Sequence, residues 1–255
     1  MTGKSFSLKN RVAIVTGGAQ GIGFAIAEQL AEMGANLVIA DINLEGAKRA
    51  AAELSQKYNE AIGVEVDVSK AEQTEKMAKL ALEKFGKIDI LVNNAGVVIR
   101  KGALETTDDE WDWIFSINIM GAVHSCQAVV QHFKENKYGR IINICTAQVG
   151  VVEPLRGAYI TMKTGLMGLT NSLAVELAQF NITVNAVGPG WTKTEINQKA
   201  LDGDQKTIDY ITSKMPMARL AETEEVASLV GYLSTDLASY LTGQMIYVDG
   251  GWTSW

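Results

Sequence analysis

The chain has 255 residues, 47% of them hydrophobic, and a net charge of −6. This length fits one large α/β domain or two small ones, and the apolar content is ample for a packed core. The acidic balance and the lack of a Lys/Arg-rich run argue against nucleic acid and anionic membranes as partners. No uninterrupted apolar stretch reaches the roughly 20 residues that span a bilayer, and the N-terminus lacks a secretory hydrophobic region. We therefore expect a cytoplasmic protein.

Short apolar runs alternate with segments of helical periodicity along most of the chain. The predicted strands are residues 12–15, 36–40, 62–66, 88–92, 140–145, 183–187 and 245–248. The predicted helices are residues 22–33, 44–58, 71–85, 108–136 with a break near Asn118, 159–179 and 222–234. This alternation predicts a single doubly wound, Rossmann-type α/β domain over residues 1–255, with a parallel sheet of about seven strands and helices on both faces. The irregular stretch 191–220 interrupts the alternation and predicts a substrate lid.

A glycine-rich turn follows the first predicted strand and opens the first helix, from Thr16 to Gly23. Glycines let a pyrophosphate approach the helix N-terminus, where free N–H groups and the helix dipole stabilise its charge. The position between a buried strand and an amphipathic helix favours a dinucleotide site over a purely structural turn. The predicted contacts in this turn are Gly17, Gln20, Gly21, Ile22 and Gly23.

Asp41 closes the second predicted strand, eighteen residues after Gly23. A carboxylate there can accept hydrogen bonds from a ribose diol and repel a 2′-phosphate. The residues that could carry a phosphate-binding cation are all uncharged: Ala19, Gln20, Ile42 and Asn43. The sequence therefore favours NAD over NADP, with Asp41 and Ile42 as cofactor contacts.

Asp67 ends the third predicted strand, and with Val68 it could meet the adenine edge of the cofactor. For Asp67, as for Asp41, the structural alternative is a cap on the following helix. The two roles can coexist, so both aspartates and Val68 are retained as cofactor contacts.

Tyr159 and Lys163 stand four residues apart, which on a helix puts a phenol and an ammonium on one face. A tyrosine ionises near pH ~10, and a fixed cation beside it lowers that pKa. The pair could therefore act as an acid/base group. Taken alone, the spacing also fits an exposed tyrosine and a solvated lysine.

Six motifs in order and spacing resemble the short-chain dehydrogenase/reductase family, over about Leu8 to Trp252. They are the Thr16–Gly23 turn, Asn93–Gly96, Asn118, Tyr159 with Lys163, Pro189–Gly190 and Asp249–Gly251. The resemblance implies that a hydride passes between a substrate carbon and nicotinamide C4, and that members of the family are commonly homotetramers.

The resemblance also assigns roles to residues. Tyr159 would exchange a proton with the substrate oxygen, and Lys163 would lower the pKa of Tyr159 and hold the nicotinamide ribose. Asn118 would position a water that links Lys163 to solvent. The other implied cofactor contacts lie after the fourth and sixth strands, at Asn94, Ala95, Gly96, Pro189, Gly190, Thr192 and Thr194.

One position departs from the family pattern. Many relatives have two serines at the end of the fifth strand, where this chain has Cys145 and Thr146. Thr146, thirteen residues before Tyr159, keeps a hydroxyl that can donate to the substrate oxygen. We assign Thr146 to the catalytic site and interpret Cys145 as a packed core thiol.

The remaining polar residues leave several readings open. The cysteines and the two histidines have no metal-binding spacing, so no metal is predicted. Charged residues near the pocket mouth, Arg100, Glu153 and Arg156, would suit a polyhydroxylated or acidic substrate if they point inward. The main hypothesis is an NAD-dependent dehydrogenase of a sugar, sugar acid or polyol. The alternatives are a 3-oxoacyl thioester reductase using NADPH and a catalytically weak dinucleotide-binding protein.

Overall fold

Seven parallel strands form one sheet in this computed structural model, which describes residues 5–194, 197 and 205–255. The strands are β1 (Val12–Thr16), β2 (Asn36–Asp41), β3 (Ala61–Glu65), β4 (Ile90–Asn93), β5 (Gly139–Ile144), β6 (Ile182–Pro189) and β7 (Met245–Val248). Their spatial order is β3-β2-β1-β4-β5-β6-β7. Chain order therefore reverses between β1 and β4, and the carboxyl ends of these two strands open a crevice of the kind that binds ligands in doubly wound sheets.

Eight α-helices connect or flank these strands among the described residues. They are α1 (Gly21–Glu32), α2 (Leu44–Lys57), α3 (Ala71–Phe85), α4 (Asp108–Phe115), α5 (Gly121–Asn136), α6 (Gly157–Leu177), α7 (Gln205–Ser213) and α8 (Thr223–Leu233). A π-helical segment, Ser116–Met120, joins α4 to α5. The break expected near Asn118 is thus a π-bulge, a feature frequent at functional sites.

The central strands are buried on both faces, which explains their continuous apolar sequences. Every residue of β1, β5 and β6 is buried, as expected of strands covered by helices on both sides. One core cluster packs α1, α2 and α8 against the sheet, and a second packs α3, α5 and α6 against the opposite face. The predicted single doubly wound domain with about seven parallel strands is confirmed.

Within the described residues, one helical run, Asp108–Asn136, is long and apolar enough to cross a membrane by length and composition alone. The expectation that no segment reaches bilayer length did not consider a run in which a π-bulge joins two helices. In this fold Val129 and Phe133 of that run are fully buried in the second core cluster. One face of this run therefore packs into the core of the domain.

The proposed lid at residues 191–220 is described only in part. Residues 195–196 and 198–204 lie outside the described residues, whereas α7 follows with Ile211 buried against Met215 and Trp252. The described half therefore packs on the domain through a small apolar cluster. Its role as a lid stays a prediction.

The close contact between β3 and α2 generates a stability prediction. A Cβ atom at Gly63 would lie 2.5 Å from backbone atoms of Ala47 and Lys48, which is well inside van der Waals contact. We expect Gly63→Ala to lower the free energy of unfolding by about 1–3 kcal/mol, the usual cost of overpacking. Thermal and urea unfolding measure the change.

The matched control is Gly168→Ala on α6, where an added Cβ meets nothing within 4 Å. This change should stabilise the helix by roughly 0.5–1 kcal/mol because alanine loses less backbone entropy than glycine. Equal stability of the two variants would show that α2 does not press on β3 as described.

Candidate active site

A cleft of about 590 Å³ opens at the carboxyl ends of the central strands. All predicted cofactor contacts line it, from the glycine turn through Asp41, Asp67 and Asn94 to the segment after β6. Thr146, Tyr159 and Lys163 line the same cleft, whereas Asn118 lies directly behind the lining. Residues as far apart in the chain as Gly17 and Thr194 thus share one site because parallel strands all end at this edge.

A positive φ angle and a close backbone approach shape the glycine turn. Gly17 adopts φ +63°, and a Cβ at Gly23 would lie 2.0 Å from the Gly17 carbonyl oxygen. The side-chain amide of Asn94 donates to the carbonyls of Thr16 and Gly17 at 3.0 and 2.9 Å. The Thr16 hydroxyl in turn accepts from the backbone N–H groups of Asn94 and Ala95. The turn after β1 is therefore locked to the end of β4.

The first turn of α1 is suited to bind an anion. Its N-cap residue, Gln20, makes no side-chain capping hydrogen bond, and the turn contains no acidic residue. The backbone N–H groups at the helix start are thus free of an internal acceptor, and the helix dipole adds partial positive charge there. Together with the glycine cradle, these groups fit a dinucleotide pyrophosphate.

Asp41 links the end of β2 to the glycine turn. Its two carboxylate oxygens accept from the N–H groups of Ala19 at 3.1 Å and Asn43 at 3.0 Å. The cap on α2 comes from Asn43, whose side chain accepts from Gly46 N–H. The capping alternative therefore does not explain Asp41, which faces the cleft with oxygen lone pairs left for a ribose diol.

Asp67 likewise does not cap a helix. Its carboxylate accepts from the backbone N–H and hydroxyl of Ser69 at 3.0 and 2.7 Å, and the N-cap of α3 is Lys70. The backbone carbonyl of Val68 lies 3.1 Å from His124 Nδ1. These contacts fix the strand end that lines the cleft, and the adenine role of Asp67 and Val68 stays a prediction.

Tyr159 and Lys163 lie one turn apart near the start of α6, as their spacing predicts. Lys163 is only 4% exposed. Its ammonium donates to the carbonyl of Ile144 at 2.7 Å and lies 5.9 Å from the centre of the Tyr159 ring. No carboxylate forms an ion pair with Lys163 among the described residues, so this buried charge is held by a carbonyl dipole at the end of β5.

The pKa of Tyr159 differs from the expected direction. Desolvation of the partly buried ring raises it to about 12, although Thr146 and the positive charge of Arg156 both act to lower it. Burial also lowers the pKa of Lys163. The expectation that Lys163 lowers the pKa of the phenol underestimated desolvation, which here has the largest effect.

Asn118 lies in the π-helical segment and is almost fully buried. Its side chain accepts from Val97 N–H at 2.8 Å and donates to the Val97 carbonyl at 2.9 Å. A Cβ at Gly96 would lie 3.1 Å from Asn118 Oδ1 and 3.3 Å from Lys163 Nζ. Asn118 thus fixes the loop after β4 and approaches Lys163 across a glycine, while its role in positioning a water stays a prediction.

Thr146 and Cys145 have the different environments expected of them. The Thr146 hydroxyl accepts from Gln148 N–H at 3.3 Å, and Thr146 acts to lower the pKa of Tyr159 across the cleft. Cys145 is a buried free thiol whose pKa burial raises to about 11. The interpretation of Cys145 as a core thiol is confirmed, and Thr146 supplies the hydroxyl beside the phenol.

The cleft also contains side chains to which the sequence assigned no individual role. Gln148, Trp191 and Trp252 line it, and so do Asn197 and Trp113. No local spacing relates these side chains to the catalytic pair. Among the described residues, no group of three or more His, Cys, Asp or Glu side chains could hold a metal ion.

This fold and this site define a dinucleotide-dependent oxidoreductase. A family model described as enoyl-(acyl carrier protein) reductase matches residues 17–253. The chain belongs to the short-chain dehydrogenase/reductase family.

Several curated relatives match over nearly their whole length. The chain is 37% identical to (2S)-((R)-hydroxy(phenyl)methyl)succinyl-CoA dehydrogenase subunit BbsD of Thauera aromatica, covering 96% of this chain and 97% of the relative. It is 35% identical to 3-oxoacyl-(acyl carrier protein) reductase FabG of Staphylococcus epidermidis, with 95% and 98% covered. It is 34% identical to 5-keto-D-gluconate 5-reductase of Escherichia coli, with 96% of each covered.

Solved structures match equally well. A structure titled gox2181 has a TM-score of 0.94 at 36% identity, and a putative gluconate dehydrogenase from Agrobacterium tumefaciens has 0.94 at 31%; each comparison covers 98% of both chains. A putative NAD(P)-dependent gluconate 5-dehydrogenase from Beutenbergia cavernae, with bound NADP at low occupancy, has 0.92 at 33% and covers 98% of this chain and 99% of its own.

The raised pKa of Tyr159 gives a pH prediction for the protein without dinucleotide. Because its folded pKa of about 12 exceeds the ordinary value, the phenol should stay protonated up to pH ~10. Its contribution to stability is then complete below the unfolded pKa and is lost as pH rises through the folded value. Ultraviolet titration of wild type against Tyr159→Phe isolates this phenol from the other tyrosines. An ionisation below pH 9 that disappears in the variant would contradict the dominance of burial.

Proposed function

We propose that this oxidoreductase uses NAD to interconvert a secondary alcohol and a ketone on a sugar, sugar acid or polyol. The observation that carries the proposal is the placement of Thr146, Tyr159 and the buried ammonium of Lys163 in the same cleft as the glycine turn and Asp41. Two hydroxyls that line one cleft beside a cation can both meet one substrate oxygen, which alcohol–ketone proton transfer requires.

In the proposed reaction, Tyr159 takes the proton of the substrate hydroxyl during oxidation and returns it to the carbonyl oxygen during reduction. Thr146 orients the same oxygen through its hydroxyl. Lys163 stabilises the phenolate, since its charge is held 5.9 Å from the ring in a site shielded from water. Asn118 holds the loop after β4 against the site. When bound, the nicotinamide supplies or accepts the hydride.

NAD as the cofactor rests on the carboxylate of Asp41. The two backbone donors fix it at the end of β2, where it would accept from a ribose diol and repel a 2′-phosphate. The next side chain, Ile42, is 69% exposed and uncharged. The bound NADP belongs to the Beutenbergia cavernae protein, so the preference of this chain requires its own measurement.

A 3-oxoacyl thioester reductase using NADPH is the second candidate. The 35% identity to the Staphylococcus epidermidis reductase supports it. Asp41 argues against it, because this carboxylate would repel the 2′-phosphate of NADPH. Turnover of a 3-oxoacyl thioester with NADPH at a rate above that of any sugar, sugar acid or polyol with NADH would favour this reading.

A catalytically weak dinucleotide-binding protein is the third candidate. Its support was the change from serine to threonine at position 146. Thr146 nevertheless lines the same cleft as Tyr159, and Lys163 and Asn118 are both buried beside it. A protein that binds NADH and oxidises or reduces no member of a broad alcohol and ketone panel would fit this reading.

We also propose that the protein works in the cytoplasm as a homotetramer on a small-molecule substrate, without nucleic-acid or membrane partners. Exposed apolar side chains on α4 and α6, Trp113, Phe115 and Val175, support self-association. At the C-terminus, Trp252 packs against Ala147 and Met215, whereas Trp255 is 82% exposed. The tail is thus half anchored and half available to a neighbouring subunit.

Substitutions at the two hydroxyls test the proposed chemistry. Tyr159→Phe should lower kcat by at least about 10²-fold, the usual contribution of acid–base catalysis, while NADH binding stays close to wild type. Thr146→Ala should lower kcat about 10-fold or more through loss of one hydrogen bond, and Thr146→Ser should keep or raise it. Steady-state kinetics and NADH fluorescence measure both effects. An alanine variant as fast as wild type would remove Thr146 from the mechanism.

A substitution at Asp41 tests cofactor preference. Asp41→Ala should lower kcat/KM for NAD about 10- to 100-fold, because a hydrogen bond to a charged group contributes roughly 1.5–3 kcal/mol. The value for NADP should fall less or rise, because the repulsion of the 2′-phosphate disappears. Glu45→Ala, an exposed acid on α2, is the control. If both cofactors lose equally, Asp41 does not discriminate between them.

A further inference from the structure

The cleft has a second polar wall beyond the catalytic pair, built by Gln148, Glu153, Arg156 and Trp191, which we call the basic wall. Arg156 immediately precedes α6, three residues before Tyr159, and lines the cleft with Gln148 and Trp191. Its guanidinium carbon lies 4.9 Å from the centre of the Trp191 ring. Its Nε lies 3.8 Å from Glu153 Oε2. The guanidinium is thus held by a flat ring and a carboxylate while its side chain is 15% exposed.

The terminal nitrogens of Arg156 are free to bind a ligand. Within the described parts of the chain, the guanidinium of Arg156 has one polar contact, from Nε to Glu153, and at 3.8 Å it is too long for a hydrogen bond. A guanidinium carries five N–H donors in a fixed fork that matches a carboxylate. A stacked guanidinium with unused donors beside the reacting groups is therefore preorganised for an anionic ligand.

The orientation of Gln148 adds an acceptor to this wall. The side chain is 4% exposed, and its Nε2 donates to Glu153 Oε2 at 2.6 Å. A carboxylate only accepts hydrogen bonds, so this contact determines which end of the amide is the oxygen. The amide oxygen of Gln148 is buried and has no partner in the described structure, and neither has the indole N–H of Trp191. A buried polar group without a partner is unfavourable, so a hydrogen bond from a ligand hydroxyl or another polar group would stabilise each of these two atoms.

The charges around the wall also favour an anion. Glu153 lies between Arg156 and Lys214, whose Nζ is 3.6 Å from Glu153 Oε1. One negative charge therefore faces two positive ones. Arg100 lines the same cleft, and its positive charge lowers the pKa of Arg156 further, after burial as the main cause. An anion bound between the two arginines would relieve this repulsion.

We propose that Arg156 selects substrates with a carboxylate, and that Gln148 accepts a hydrogen bond from a hydroxyl of the same molecule. The inference rests on the proposed function and narrows it: the substrate is a hydroxy acid, not a neutral sugar or polyol. Glu153 is a positioning residue, because its Oε2 contacts both Gln148 and Arg156. Its Oε1 faces Lys214. The reacting carbon lies at Tyr159 and the carboxylate lies toward the start of α6.

Equilibrium binding tests the wall without requiring turnover. The probes are matched pairs that share a carbon skeleton and differ in one end group: D-gluconate with D-glucitol, and glycerate with glycerol. Each is titrated calorimetrically into the protein saturated with NADH. In wild type, the acid of at least one pair should bind ten-fold or more tightly than its neutral partner. Arg156→Gln should abolish this preference, with NADH affinity and melting temperature unchanged.

Three further variants separate recognition from structure. Arg156→Lys, which keeps the charge without the fork, should retain part of the preference for the acid. Gln148→Leu should weaken an acid and its neutral partner by the same factor, because it removes a hydroxyl acceptor and no charge. Arg49→Gln, an exposed arginine on α2, should change nothing. A general structural defect would instead weaken NADH binding as well.

Two results would overturn the proposal. One is equal or absent binding of acid and neutral partner in every pair by wild type, and the other is an acid preference that survives Arg156→Gln. The proposed function fails differently. If the acids bind in an Arg156-dependent way and no alcohol or ketone is turned over, carboxylate recognition by Arg156 is supported and the oxidoreductase chemistry on such substrates is wrong. If neutral polyols are turned over without any acid preference, the chemistry stands and the wall is wrong.

Discussion

The contact between Asn94 and the glycine turn is the constraint on which the site depends. One side-chain amide donates to the carbonyls of Thr16 and Gly17, and the Thr16 hydroxyl accepts from two N–H groups at the end of β4. These bonds join the two strands at which the sheet reverses its order. In the turn that they hold, a Cβ added at Gly23 would lie 2.0 Å from the Gly17 carbonyl oxygen, so only glycine fits at position 23. The dinucleotide cradle is therefore a joint product of two strands.

Burial dominates the electrostatics of the catalytic side of the cleft. The Lys163 ammonium is held by a carbonyl, and the phenol of Tyr159 is favoured in its neutral form. Thr146 and the charge of Arg156 act in the opposite direction on the pKa of Tyr159. The balance between desolvation and these two contacts determines how much additional positive charge is needed before Tyr159 can release its proton.

Much of the architecture could be predicted because it depends on short-range patterns. Buried β-branched runs identify the strands, the glycine turn identifies the nucleotide end, and Asn118 identifies the break that becomes a π-bulge. The pKa of Tyr159 could not be predicted, since it depends on how deeply the fold buries the ring. The basic wall also escaped prediction as a unit, because Gln148 meets Glu153, and Trp191 meets Arg156, only after the chain folds.

Asp41 both lines the cleft and holds the neighbouring backbone in place. The carboxylate oxygens that face the cleft, and for which we propose a ribose contact, also accept from the N–H groups of Ala19 and Asn43. Any evolutionary or engineered change of dinucleotide preference at this position must therefore supply new acceptors for those two donors. If Asp41 selects the cofactor as proposed, a substitution that changes the preference also removes two hydrogen bonds from the loop around the site.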